Sequence, residues 1–150
     1  MISKILVAVD GSSAAGKAVE YAVGLAKQTG ATVTFLSVID MSAFTVQSVP
    51  DVVAPTHLTE PIEDYLKQAA EAHIEEAVKL CSKNNVRSKK AVRSGHPVEE
   101  IIKEADASKA DLIIMGSHGK SAVRAAILGS VTYGVIHKET KVPVLIVRRG

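Results

Sequence analysis

Apolar positions follow two rhythms along the chain. Ile5–Asp10, Thr32–Ile39, Arg87–Val92, Leu112–Met115 and Val144–Arg148 are short β-type runs, and Ile5–Val9, Leu112–Met115 and Val144–Val147 are almost unbroken in their apolar character. Runs of that kind fit parallel strands covered on both faces. Arg87–Val92 is far more polar, which suits a sheet edge. Between the runs the apolar spacing changes to three and four. Ser12-Ser13 cap a helix that carries Ala18, Ala22, Leu25 and Ala26 on one face and stops at Gly30. Glu60-Pro61 opens a second helix, with proline in its first turn, in which Ile62, Leu66, Ala69, His73, Ala77 and Leu80 recur. Pro97 starts a third, with Glu99 and Glu100 where the helix dipole favours acids. Ser130 starts a fourth that ends near Lys138, with Pro143 beyond.

Strands alternating with helices predict a parallel sheet with right-handed crossovers. Residues 40–58 stand apart, holding Pro50 and Pro55 and no clear period, and connections of this length are often functional. With no repeat, low-complexity tract or linker, residues 1–150 read as one domain. A chain of 150 residues buries about 70% of the surface it would expose unfolded. Aromatic residues are 3% with no Trp, so the core must come from Val, Ile, Leu and Ala, and stacking platforms for single-stranded nucleic acid are not expected. The net charge is only +2, and its densest basic group, Lys89, Lys90 and Arg93, reads as a solvated strand face. Cys81 is the single cysteine, which rules out an intrachain disulfide and suits a small core hydrophobe. Met1-Ile2-Ser3-Lys4 leads into a strand without a signal-peptide pattern, and no apolar stretch approaches the ~20 residues that span a bilayer. The expected setting is cytoplasmic, away from membranes.

The chemistry gathers in residues 112–131. The apolar run ends at Met115, Gly116 and Gly119 follow, and after nine more residues comes Gly129-Ser130. Glycines let backbone N–H groups approach an anion, and between a strand and a helix they mark a phosphate-binding turn. Ligands of open parallel sheets sit beyond the carboxyl ends of the strands. There Asp10 closes the first strand, Val38-Ile39-Asp40 the second, and Gly116 follows the fourth. Each feature alone is a plain turn or helix cap; together they point to a nucleotide site. Lys120 stands between two readings, a partner for a terminal phosphate and a solvated loop lysine. His118 either touches phosphate or fills the turn, and with no second ligand at metal spacing it predicts no zinc site. His57, His73, His96 and His137 form no visible cluster. Gly11 to Lys17 matches the first seven positions of a P-loop, but Ala18 replaces the Ser or Thr that holds Mg²⁺, and Asp111 begins a strand where a metal-binding Asp should end one. The dinucleotide fingerprint and the nucleophile elbow are both absent.

The Gly-x-x-Gly-(nine residues)-Gly-Ser pattern, the opening Ile-Leu-Val-Ala-Val-Asp-Gly-Ser, the Ser-Val-Ile-Asp and the closing Val-Pro-Val-Leu-Ile-Val resemble the ATP-binding branch of the universal stress protein family over essentially the whole chain. This resemblance implies an α/β fold, Rossmann-like: a doubly wound open parallel five-stranded sheet, order 3-2-1-4-5, with helices on both faces. Pro143–Arg149 would lie at an edge and pair two copies into a homodimer. The implied ligand is ATP, with AMP or ADP as alternatives, accompanied by Mg²⁺ or Mn²⁺. Asp10 and Val38 would flank the adenine and ribose, with Met115 nearby. Gly116, Gly119, Gly129, Ser130 and Val131 would surround the ribose and phosphates, and Ser117, His118 and Lys120 complete the candidate set. The implied role is a nucleotide-dependent sensor or regulator in stress response, acting through an unidentified partner protein. No dedicated base is evident, which leaves at most slow or partner-dependent hydrolysis. Alternatives are a nucleotide-free interaction module of the same fold, an ATPase switch driven by a partner, and a transferase, which would need a second pocket with acid–base residues.

Overall fold

The computed structural model describes residues 1–40, 56–118, 128–139 and 141–148. Five strands, β1 (Lys4–Ala8), β2 (Thr32–Ile39), β3 (Ser88–Ser94), β4 (Leu112–Gly116) and β5 (Val144–Val147), pair in parallel in the order β3-β2-β1-β4-β5. Four helices join them: α1 (Ser13–Thr29), α2 (Thr56–Lys83), α3 (Pro97–Ala107) and α4 (Ser130–Lys138).

The period-two alternation of β1 divides the core. Ile5, Val7 and Val9 turn to one face, where Ala18, Ala22 and Ala26 of α1 and Ile74, Ala77 and Cys81 of α2 cover them. Leu6 turns to the other face, against Val98, Ile101 and Ala105 of α3 and Val135 of α4. Small alanines on α1 let that helix lie close to the sheet. Because α1 and α2 cover one face and α3 and α4 the other, the adjacent strands β1 and β4 send their chains to opposite sides. At such a divergence, beyond the carboxyl ends of the strands, open parallel sheets bind their ligands.

Several boundaries differ from expectation. Strand β1 stops at Ala8 instead of Asp10, while β3 continues to Ser94 because its ladder with β2 runs on to the Ile39–Ser94 pair. Helix α2 begins at Thr56, so Pro61 sits inside it and not at its first turn. As the sixth residue of the helix, Pro61 lies past the amides that have no partner, so its missing N–H forgoes one intrahelical hydrogen bond. Of the long connection, residues 41–55 lie outside the described residues.

The basic group on β3 is not simply solvated. The Arg93 guanidinium reaches α3, with Nε 2.8 Å from Glu104 Oε1 and Nη1 3.5 Å from Glu100 Oε1. Lys90 pairs with Glu75 of α2, and Lys89 remains exposed. At the opposite edge, all four residues of β5 are half-buried.

Candidate functional site

Asp10 and Ser12 build the exit from β1. Asp10 Oδ1 accepts the Ser12 N–H at 2.9 Å, and Ser12 Oγ accepts the Ala15 N–H at 3.1 Å as the N-cap of α1. Between them Gly11 adopts φ +82°, a left-handed turn that favours glycine. The helix begins at Ser13, and the Gly16 N–H donates to Ser12 O at 3.0 Å. Most of Gly11 to Lys17 is therefore already helix, with no open loop of amides to cradle a phosphate. The P-loop alternative falls on this geometry.

The exit from β4 is clasped at three points. The Ser117 N–H donates to Val147 O at 2.9 Å and prolongs the ladder with β5. Thr132 Oγ1 donates to Gly116 O at 2.8 Å, and the Gly129 N–H donates to Ser117 O at 2.7 Å. The first turn of α4 is thus pinned beside the end of β4, and the chain leaves at His118 and returns at Leu128 with its base fixed.

Two glycines in this clasp have structural roles. A Cβ on Gly116 would stand 2.6 Å from the backbone carbon of Ala14, so the close approach of α1 demands glycine there. The Gly129 N–H is spent on Ser117. Gly129 is the N-cap of α4, at φ −70° and ψ 159°, and offers no side-chain cap. The next amides, of Ser130, Val131 and Thr132, belong to a first helical turn, where N–H groups have no partner within the helix. Gly129 thus gives this helix end, at the positive pole of the dipole, no side-chain cap.

The other candidates divide by depth. Ser117 and His118 are buried, with His118 Nδ1 3.1 Å from Ser117 Oγ. Met115 packs into the second-face core with Leu6, Val98 and Val135, and Val38 lies half-buried against the same cluster. Ser130 is exposed and Val131 half-buried. Gly119 and Lys120 lie outside the described residues. Among the described residues no group of three or more His, Cys, Asp or Glu side chains could hold a metal, and no helix is long and apolar enough to cross a membrane. Cys81 is fully buried, and burial pushes its thiol up to about 11, a poor nucleophile at neutral pH.

Sequence reasoning missed two residues at the ends of β1. Asp111, which precedes β4, accepts the Ser3 N–H, the Ser3 hydroxyl and the Lys4 N–H, each at 2.9 Å, and so joins the starts of β1 and β4. His73, read as part of the apolar stripe of α2 and as one of the scattered histidines, rests its imidazole on Gly11. Neither contact has a local sequence signal, because each spans distant segments.

The profile of the Universal stress protein family matches residues 1–148. Universal stress protein YxiE of Bacillus subtilis is 34% identical over 149 residues, covering 99% of this chain and 100% of the relative. The solved structure of protein MJ0577, from Methanocaldococcus jannaschii, superposes with a TM-score of 0.86 at 32% identity, covering 100% of this chain and 98% of that one. Two more distant structures share the fold. One is a universal stress protein in complex with cAMP, at TM-score 0.69 and 23% identity over 99% of this chain and 98% of that one. The other is an Arabidopsis thaliana universal stress protein family protein with AMP bound, at TM-score 0.70 and 18% identity over 99% and 92%. A match that runs from the first strand through the last, with the same sheet beneath it, means that the chain belongs to the universal stress protein family.

Proposed function

We propose that the protein binds an adenine nucleotide, ATP or its shorter forms ADP and AMP, beyond the carboxyl ends of β1 and β4. The observation that carries this reading is the N-terminus of α4, whose N-cap Gly129 supplies no side chain and which is clasped beside β4 where the chain changes faces. A helix start so placed directs amides and partial positive charge at an anion. In this reading the Ser130 hydroxyl and the amides of Ser130 and Val131 hold phosphate, with Gly119 and Lys120 adding to the same end. Asp10 and Val38 meet the nucleoside. Gly116, Met115 and Gly129 shape the site from behind, and Ser117 with His118 forms its buried floor. The named complexes with cAMP and AMP support the choice of an adenine ligand for this fold.

Mg²⁺ or Mn²⁺ would arrive on the polyphosphate and not in a protein cage, since Mg²⁺ keeps water and phosphate oxygens as most of its ligands. Asp10 is the one carboxylate of the candidate set, and one of its oxygens already holds the Ser12 N–H. The reading is of binding, with occupancy altering affinity for a partner protein, and not of rapid turnover. His118, the imidazole within the turn, sets its Nδ1 3.1 Å from Ser117 Oγ. We also propose that two copies pair through the β5 edge, whose apolar strand is covered on its faces only in part.

Isothermal calorimetry with ATP and AMP tests the site, using Ser130→Asp as the variant. An acid in the first helical turn suits the dipole, so the fold is expected to stay as stable as wild type while phosphate is repelled. Nucleotide affinity is expected to fall at least about tenfold, or ~1.4 kcal/mol. A silent titration of the wild-type protein, or unchanged affinity in Ser130→Asp, would overturn the assignment.

A further inference from the structure

The imidazole of His73 stands where a side chain on residue 11 would be. A Cβ built on Gly11 would lie 2.5 Å from His73 Nε2 and 2.7 Å from its Cε1. The ring therefore crosses from α2 and sets its Nε2–Cε1 edge against the turn formed by Asp10, Gly11 and Ser12. Its placement is fixed from both directions along α2, because Ala70 before it is buried and Ile74, Ala77 and Cys81 after it pack into the core of that face. Beyond Ala70 that support ends: none of residues 61–69 is buried. His73 thus lies within one turn of that limit.

Its chemistry sets it apart from a packed core histidine. His73 is half-buried, and neither ring nitrogen hydrogen-bonds to a described residue. No buried side-chain nitrogen or oxygen among the described residues lacks a partner, so the nitrogens of His73 are open to water. An apolar side chain would serve packing alone as well. What the ring does here is fill the hollow left by a glycine that φ +82° makes difficult to replace, and so stiffen the turn that carries Asp10.

Resting on the nucleotide reading above, we propose that His73 is a positioning residue for the nucleoside end of the site, acting through Asp10. Its ring holds the turn so that the Asp10 carboxylate meets the base and ribose in one geometry. The phosphate end, at the start of α4, is held by a separate clasp and is independent of it. The residue therefore contributes to adenine nucleotide recognition and not to anion binding as such.

The test compares ATP with inorganic tripolyphosphate, titrated by calorimetry into wild type, His73→Ala and His73→Phe, with thermal melts as a check on folding. The expected result is an ATP affinity about tenfold weaker in His73→Ala, with tripolyphosphate unchanged, and recovery to within about threefold of wild type in His73→Phe, which keeps the ring. An unchanged ratio of ATP to tripolyphosphate affinity in His73→Ala would overturn the role of His73 and leave the nucleotide site standing. Equal weakening of both ligands, or no recovery in His73→Phe, would also overturn it. A wild-type protein that binds neither ligand would instead remove the nucleotide reading on which the inference rests.

Discussion

A single carboxylate, that of Asp111, shows how much one residue can organise. Two backbone amides and a hydroxyl donate to it, and these bonds hold its pKa below the usual value. A group whose pKa is lower folded than unfolded stabilises the fold above the unfolded value, and the contribution disappears as pH falls through the folded one. Asp111→Asn is therefore expected to be less stable than wild type at neutral pH, with the difference closing as acid protonates the wild-type carboxylate. Urea melts at a series of pH values from neutral to below the carboxylate range check this. A gap that stays constant throughout would show that the bonds carry no charge-dependent stability. The sequence places Asp111 before a strand but not opposite Ser3, and a contact across 108 positions leaves no local trace. The same holds for Gly116, recognisable as a glycine after a strand, whose need for glycine comes from Ala14 in another element.

Among the helices, glycine has opposite consequences in α1 and α4. A Cβ on Gly24, in the interior of α1, would meet nothing within 4 Å. Glycine there gives up helix propensity without gaining a contact, so Gly24→Ala is expected to stabilise the protein by about 1 kcal/mol. A thermal melt is expected to rise by ~2–4 °C, and an unchanged or lower midpoint would count against the open face of α1. On Gly134 in α4 a Cβ would lie 2.7 Å from Val98 Cγ2, so that glycine brings α4 close against α3. The elements themselves are largely legible in sequence, because alternation and helical spacing report burial directly. Gly30 ends α1 with φ +78° as its position suggests, and Pro97 opens α3 with Glu99 and Glu100 in its first turn. The start of α2 misleads because Glu60-Pro61 has the composition of a helix entrance, while the chain is already helical at Thr56.

At the scale of the molecule, the order of the strands and the division of helices between faces follow from the pattern together with the resemblance to a known family. The candidate site is legible in part. Its β4–α4 half is marked by glycines close in sequence, whereas its β1 half depends on His73, which only the packing of α2 brings to Gly11. The edge position of β5 carries the prediction on assembly. Sedimentation equilibrium is expected to report a species of twice the chain mass, and a monomer at every concentration would discard pairing through that strand.

The place of β1 in the middle of the sheet has a consequence for biogenesis. Its neighbour β2 follows soon after in the chain, but Asp111 and β4 arrive 107 positions behind Lys4. During synthesis the first strand must wait with one flank bare, and closing so distant a pair is slow compared with forming local helices. Ribosome-bound fragments that end before β4 are the species most exposed to chaperones and to clumping.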